Sequence, residues 1–501
     1  MDNSIKKPSY AWIWVTVTAI FCVLFTLTLI PAAAQGNLQQ PQGTSSQSQV
    51  RNYTNIIQNV FDFIVRGYVD EINPQTLFEG AMNGMFNALE DPYSTFLSEA
   101  DMNSMGDTTE GRFGGVGLNI TKPVTPRPDG KPMWVEVVSP IENTPGWRAG
   151  ISPGDFIVEI DGVSTDSLTM EEVLGVLRGT PGEEVRLLIR RGERIEFPVT
   201  ITRAVIEVPT VRHAMIGDIG YLRIMTFTPF TIDRATDAIN EFISNDYKSL
   251  ILDLRNNYGG RLDSAVQVSN LFLDGGLVVS IRSRIRGENR NFNANRVTLV
   301  PESIPVIVLI NRGSASASEI VAGALKDRHR AFLVGENTFG KGSVQQIYPL
   351  NEIGFKITTS RYYTPSDVSI DKVGIPPDRV VSFPEVTEAD AERLNELINA
   401  NRIPAFVEQN PQATAAQVDV FAKTLEREYS LNLPLVKRLI RNELNRTSFA
   451  PAFDLEYDVQ LQEAVNILRS GTFNNLMQNS RTLRALQEEE DAEADNMAIA
   501  S

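Results

Sequence analysis

From Gly217 to about Pro384 the chain alternates short apolar runs with segments of helical periodicity, and this alternation constrains the fold more than any other feature. Residues 221–227 read as a strand, 232–243 as a helix and 250–254 as a buried strand. A helix follows Gly259-Gly260, with Leu262, Val266, Leu271 and Phe272 apolar; then come a strand at 306–310, a helix from about 315 to 325 and a strand at 331–334. Strands that are apolar throughout and joined by helices predict βαβ units around a mostly parallel sheet.

The flanking segments read differently. Residues 112–203 form a small β-rich unit, with short strands at 135–138 and 156–160 and a hairpin turn at Asp161-Gly162. Its one clear helix has a capping box, Thr169 with Glu172, and apolar Met170, Val173, Leu174 and Leu177 on one face before Gly179 stops it. Residues 51–111 are helical at first, with Asn73-Pro74 opening a second helix and Asp91-Pro92 closing it. Residues 385–480 read as helices interrupted at Pro404, Pro411, Pro434 and Pro451. Residues 35–50, rich in Gln, Ser and Gly, read as a flexible linker.

The start of the chain bears on compartment. Lys6 and Lys7 precede an uncharged apolar run from Ala11 to Ile30, which ends in Ala32-Ala33-Ala34. A positive segment, an apolar segment and an Ala-x-Ala pattern make a secretory signal. The run also reaches the roughly 20 residues that span a bilayer. Residues 1–34 are therefore a signal peptide cut after Ala34 or a retained membrane anchor, and either way the remainder is exported, to the periplasm or the outer face of the plasma membrane. Phe21 before the single cysteine, Cys22, argues against a lipoprotein cleavage site.

Composition excludes several chemistries. The chain has 62 Asp+Glu against 46 Lys+Arg, a net charge of −16, which repels phosphate backbones and speaks against nucleic acid. Part of that charge is the run Glu488 to Asp495, expected in a solvated tail over 481–501. One cysteine allows no intrachain disulfide, and two histidines, His213 and His329, leave little for a metal site, so neither metal nor cofactor is expected.

Three segments carry chemistry. Asn311-Arg312-Gly313-Ser314-Ala315-Ser316-Ala317-Ser318-Glu319 joins a buried strand to a helix. A serine there has its hydroxyl near unpaired N–H groups that can stabilise an oxyanion, although small residues at this point also serve close packing and capping. In Gly340-Lys341-Gly342, glycines bring the backbone close to neighbours while the lysine projects. Burial against apolar walls would lower the lysine pKa and let it replace histidine as a base; a surface turn is the alternative. Asp253 to Gly260 ends a strand with paired glycines, where a backbone N–H can approach a substrate or a sharp turn can form.

Together with Asp91-Pro92-Tyr93-Ser94, Gly114 to Leu118 and Ser343-Val344-Gln345, these segments strongly resemble the carboxyl-terminal processing proteases, also called tail-specific proteases, over roughly residues 53–384. The resemblance implies a serine endopeptidase in which Ser316 is the nucleophile, Lys341 the general base and Gln345 its orienting partner. Lys341 follows Ser316 by 25 positions (341 − 316), which fits the family spacing. It also implies an oxyanion hole from the N–H of Ala317 and a glycine N–H of Gly259 or Gly260. Asp327 matches an acidic position of the family motif and reads as structural support. Tyr258 departs from the proline or small residue that often precedes the paired glycines.

The same resemblance places a PDZ domain at 112–203, inserted before a crotonase-like α/β protease core at 204–384, with helical regions on both sides. In the PDZ domain Gly115, Val116, Gly117 and Leu118 would form the loop that holds a substrate carboxylate, beside the helix that begins at Met170. Arg178, ending that helix, would contact substrate, couple the two domains, or serve only as a partner of the helix dipole. The implied partners are proteins or peptides with apolar carboxyl termini, and the membrane if the first segment is retained. Self-association stays open. A catalytically inactive PDZ scaffold is the alternative reading.

Overall fold

The computed structural model describes residues 46–99, 101–102, 110–123, 132–192, 194–382, 388–446 and 451–500. The signal or anchor segment, Cys22 and residues 35–45 of the expected linker lie outside the described residues. The rest of that linker is already helical, because Ser46–Gly67 is a single helix. The chain divides into two compact units, Met1–Ala81 and Met82–Ser501. In the first, the Ser46–Gly67 helix leaves Tyr53, Ile56, Val60 and Phe63 exposed at helical spacing. Among the described residues no helix is long and apolar enough to cross a membrane.

The second unit is multidomain α/β. Its principal sheet runs, in order, Val211–Ile216, Ile219–Ile224, Ser249–Asp253, Val306–Ile310, Phe332–Gly335 and Arg379–Val380. The first pair is antiparallel and the remainder parallel. The apolar runs are uniform because both faces are covered. Val306, Val308 and Ile310 pack with Ala238, Ile239 and Phe242 of the helix Thr231–Ser244, whereas Ile307 and Leu309 pack with Leu461, Ala464 and Val465 of the helix Val459–Arg469. Each such buried Val, Leu, Ile or Phe side chain stabilises the fold by about 1.5–3 kcal/mol. The first parallel strand sits at Ile219–Ile224 rather than 221–227; Phe227 instead makes an isolated parallel bridge to Gly260.

A second, antiparallel sheet was not visible in the pattern. Thr95–Leu97, Gly276–Ser283 and Ser343–Leu350 each pair with or through the long strand Ile353–Tyr363, and Arg290–Ala294 pairs with Gly276–Ser283. These strands are partly exposed and polar, so their period is diluted.

The β-rich unit has a sheet ordered Leu118–Thr121, Val135–Pro140, Phe156–Ile160, Glu184–Arg191, Ile195–Thr202, with Val163–Ser164 paired to Phe156–Ile160. Met170–Leu177 is its helix, and the Thr169/Glu172 capping box is formed. Arg112–Gly115 pairs antiparallel with Ala204–Glu207, so the chain enters and leaves this unit side by side.

The carboxyl-terminal helices fall into two groups, where the sequence suggested one region. Helices from Glu388–Asn399 to Leu433–Arg446 pack around their own core of Leu397, Val418, Ala422, Leu425, Val436 and Ile440. The helix Val459–Arg469 returns to cover the principal sheet. The expected acidic tail is the helix Leu483–Ala500, with its charge run exposed but Leu483 buried and its N–H bonded to Asp327 Oδ1 at 2.8 Å.

One buried ion pair fastens this returning helix to the strand end that matters most. Arg255 Nε and Nη2 donate to Asp253 at 2.9 and 2.6 Å, Nη1 and Nη2 to Asp458 at 2.7 and 2.6 Å, and Nη1 also to Gln460 Oε1 at 3.0 Å. All five guanidinium donors are thereby used. Without Asp458 the buried Arg255 keeps its charge partner in Asp253 but loses two hydrogen bonds. Asp458→Ala is expected to lower unfolding stability by about 1–3 kcal/mol, read as a lower urea midpoint.

Candidate active site

The helix Ala317–Asp327 begins directly after Ser316, whose backbone is held at φ 55°, ψ −112°. Such a conformation in a residue with a Cβ is strained by about 1–3 kcal/mol and persists only where the surroundings enforce it. Several bonds enforce it here. Ser314 Oγ donates to Leu254 O at 2.8 Å, while Ala315 N and Ser318 Oγ donate to Asn257 O at 3.0 and 2.8 Å. The Asp253–Gly260 turn is therefore laced to the serine turn from below.

The strongest local constraint is Glu319, which is fully buried. Its Oε2 accepts the N–H of Ser316 at 2.8 Å and the N–H of Lys341 at 2.9 Å. Its Oε1 accepts Thr338 Oγ at 2.6 Å and the N–H of Gly340 at 2.7 Å. Burial pushes this carboxyl above its usual range, and the four donors pull it back. Every contact uses the carboxylate as acceptor, so the ionised form is the one that fits. One side chain thus holds the backbones of Ser316 and Lys341 on a single oxygen.

The glycines flanking Lys341 are there for space. A Cβ on Gly342 would lie 2.4 Å from the N of Asp371, and one on Gly340 3.0 Å from the N of Val373. The Lys341 ammonium lies 4.9 Å from the centroid of the Tyr93 ring. Burial, then the nearby Lys356, lowers its pKa from the ordinary lysine value, while Glu319 and Asp91 oppose the shift. Ser316 is itself buried, and burial pushes the pKa of the Tyr362 hydroxyl up to about 12, with Ser316 opposing the shift. Among the described residues no hydrogen bond joins Lys341 Nζ to Ser316 Oγ.

The other expected site residues fall into place unevenly. Ala317 is the first helical residue, so its N–H has no intrahelical acceptor. Gly259, at φ 104°, approaches so closely that a Cβ there would lie 2.9 Å from Ser316 Cβ and 3.0 Å from Ala317 N. Its N–H, however, already donates to Asn257 Oδ1 at 2.9 Å. Gly260 packs on Phe227, where a Cβ would lie 2.1 Å from the carbonyl oxygen. Gln345 is not hydrogen-bonded to Lys341: a bulge at Val344/Gln345 turns its Nε2 to Ser343 Oγ and Thr358 Oγ at 2.9 and 3.1 Å. Tyr258 points to solvent at 77% exposure. Asp327 accepts from the N–H and hydroxyl of Ser366 at 3.0 and 2.7 Å, well away from the chemistry.

In the β-rich unit Val116 is buried in the local core, and Gly117, at φ 77°, presents its carbonyl to the N–H of Ile141 at 2.9 Å and to Thr144 Oγ at 3.1 Å. Gly115 and Leu118 end and begin the adjoining strands. The Arg178 guanidinium stacks over Phe113 at 5.0 Å. His213 pairs with Glu241 and His329 with Ser480, so neither histidine contacts Ser316. Among the described residues no cluster suited to a metal ion occurs.

The chain matches known protein families in sequence. The model of peptidase family S41 matches residues 218–381, that of a PDZ domain residues 136–191, and that described as the activating protease CtpB N-terminal domain residues 20–101. A carboxy-terminal-processing protease of Bartonella bacilliformis is 40% identical over 351 residues, covering 68% of this chain and 79% of its own length. The chain belongs to the carboxy-terminal-processing proteases. This protease is accordingly a serine peptidase with a PDZ domain, acting on proteins or peptides. The carboxy-terminal processing protease CtpA of Bacillus subtilis is 31% identical over 382 residues, covering 76% of this chain and 78% of the relative. A solved photosystem II D1 C-terminal processing protease is 28% identical, covers 70% of this chain and 96% of that one, and superposes with a TM-score of 0.41.

The sequence reading gave no role to Glu319, Asn257, Tyr362 or Tyr93. Only Glu319 left a local signal, the S-x-x-E spacing from Ser316 that marks a capping box. Replacing it by Gln swaps one acceptor oxygen for an amide that faces two further donors. Glu319→Gln is expected to slow cleavage by about 100-fold or more through displacement of the reacting groups, and to lower the melting temperature. Thr338→Val, which removes a single donor, should do much less to both.

Proposed function

We propose that the protease cleaves by Ser-Lys acyl transfer, and the observation that carries this reading is the shared Glu319 oxygen beneath Ser316 and Lys341. The neutral Lys341 amine takes the Ser316 hydroxyl proton as Oγ attacks the peptide carbonyl, then returns it to the leaving amine. Water, activated by the same amine, hydrolyses the acyl-enzyme. The Ala317 N–H, with a glycine N–H from the 259–260 turn, stabilises the oxyanion. For Gly259 this requires release of its bond to Asn257, whereas Gly260 has no such tie. Gln345 acts at one remove, bracing the strand that leads away from Lys341 through Ser343 and Thr358.

Recognition is assigned to the PDZ domain. Leu118–Thr121 lies at the edge of its sheet, beside a helix whose Leu174 and Val176 are partly exposed, a geometry that accepts an apolar carboxyl-terminal strand. The loop from Gly115 to Leu118 would hold the terminal carboxylate, with Arg178 near its end of the groove. The paired entry and exit strands support a PDZ insertion at 112–203 before a crotonase-like core, to which the returning helix Val459–Arg469 also belongs. The positive and apolar start of the chain supports export.

Ser316→Ala and Lys341→Ala should each abolish cleavage of an unfolded protein with an apolar tail; activity retained in both variants would sink the mechanism. Blocking the substrate's carboxyl terminus should weaken cleavage at low substrate concentration, and an unchanged kcat/KM would remove the tail-reading role. The base works only when neutral, so activity is lost as pH falls through its pKa. Because Lys341 is shifted down, the acid limb of kcat/KM should lie below the ordinary lysine value of about 10.4.

A further inference from the structure

The Asp91-Pro92-Tyr93-Ser94 turn has no part in the chemistry just described, yet it is built against the base. Asp91 Oδ1 accepts the N–H of Tyr93 at 3.0 Å and Oδ2 accepts the Ser94 hydroxyl at 2.5 Å. Ser94 Oγ in turn accepts the N–H of Thr358 at 2.9 Å, and Thr358 Oγ accepts from Gln345. The next residues, Thr95–Leu97, pair with Lys356, Phe355 and Gly354 of that same strand. The backbone that carries Tyr93 is therefore fixed, and the Lys341 ammonium sits over the ring at 4.9 Å from the centroid.

We propose that Tyr93 is a positioning residue for the general base: its ring, together with the Asp91 carboxylate, holds Lys341 in a charged, resting form turned away from Ser316. An aromatic face attracts an ammonium and gives a neutral amine little, so the ring favours the form that cannot accept a proton. Asp91 acts in the same direction, as does Glu319. Burial and Lys356 act against them. Tyr93 itself stays a neutral phenol, because burial and the surrounding carboxylates of Asp371, Glu319 and Asp91 push its pKa up. The proposal rests on Lys341 being the base.

The test is the pH profile of kcat/KM on an unfolded substrate with an apolar tail, measured on the full chain. Tyr93→Leu removes the ring face and should move the acid limb to lower pH by about half a pH unit or more. Tyr93→Phe keeps the face and should keep the wild-type limb. Asp91→Asn should move the limb the same way as Tyr93→Leu, and Tyr93→Met, which also lacks an aromatic face, takes the place of the leucine variant if that one does not fold. A limb that stays put or rises in Tyr93→Leu overturns the proposal, as does a Phe variant shifted as far as the Leu one. If Lys341→Ala is inactive while these limbs do not move, only the role of Tyr93 fails. If Lys341→Ala still cleaves, the Ser-Lys reading itself fails.

Discussion

Four hydrogen bonds to one buried carboxylate hold this site together. Glu319 is on the first turn of the helix that follows Ser316, so its backbone is fixed by that helix. From there it collects N–H groups from both sides of the reaction centre. A buried carboxylate without donors would be costly, and a buried strand–helix turn with unpaired N–H groups would be costly too. Each need is met by the other. The strained Ser316 backbone and the lysine loop are thereby placed relative to each other without relying on the Ser316 or Lys341 side chain.

The same economy of fixed backbone extends outward. The Asp253–Gly260 turn is held above by the serine turn and below by the five-donor grip of Arg255 on Asp253, Asp458 and Gln460. A helix some two hundred positions away in sequence is therefore part of the support of the turn beside Ser316. On the other flank, the pairing of Thr95–Leu97 with the antiparallel sheet braces the turn that sets Tyr93 beneath Lys341. Preorganisation of this kind is what lets weak individual groups act together in catalysis.

Much of this was legible beforehand. The strands Ser249–Asp253, Val306–Ile310 and Phe332–Gly335 announced themselves because both their faces are buried, and Met170–Leu177 because its capping box and apolar stripe are local. The long strand Ile353–Tyr363 did not, since half-exposed polar strands carry a weak period. The helix Leu483–Ala500 was hidden by its acidic run; buried Leu483, its N–H bond to Asp327 and the Arg484 bonds to Ser366 and Asp367 anchor it, and none of these is visible in a charge count.

The sequence by itself determined the candidate residue types, their order and their spacing, because a serine at a strand–helix junction and a lysine between glycines are defined over a few adjacent positions. It also determined the alternation that makes a parallel sheet. Only the tertiary structure decided which backbone groups face which acceptor. Gln345 turned to Ser343 and Thr358 because a bulge intervenes, Gly259 spent its N–H on Asn257, and Lys341 came to rest over Tyr93. The contact of Lys341 with Tyr93 joins segments far apart in sequence. The others are local but depend on a bulge and on which acceptor lies in reach, so packing and hydrogen-bond geometry fixed them and no residue pattern did.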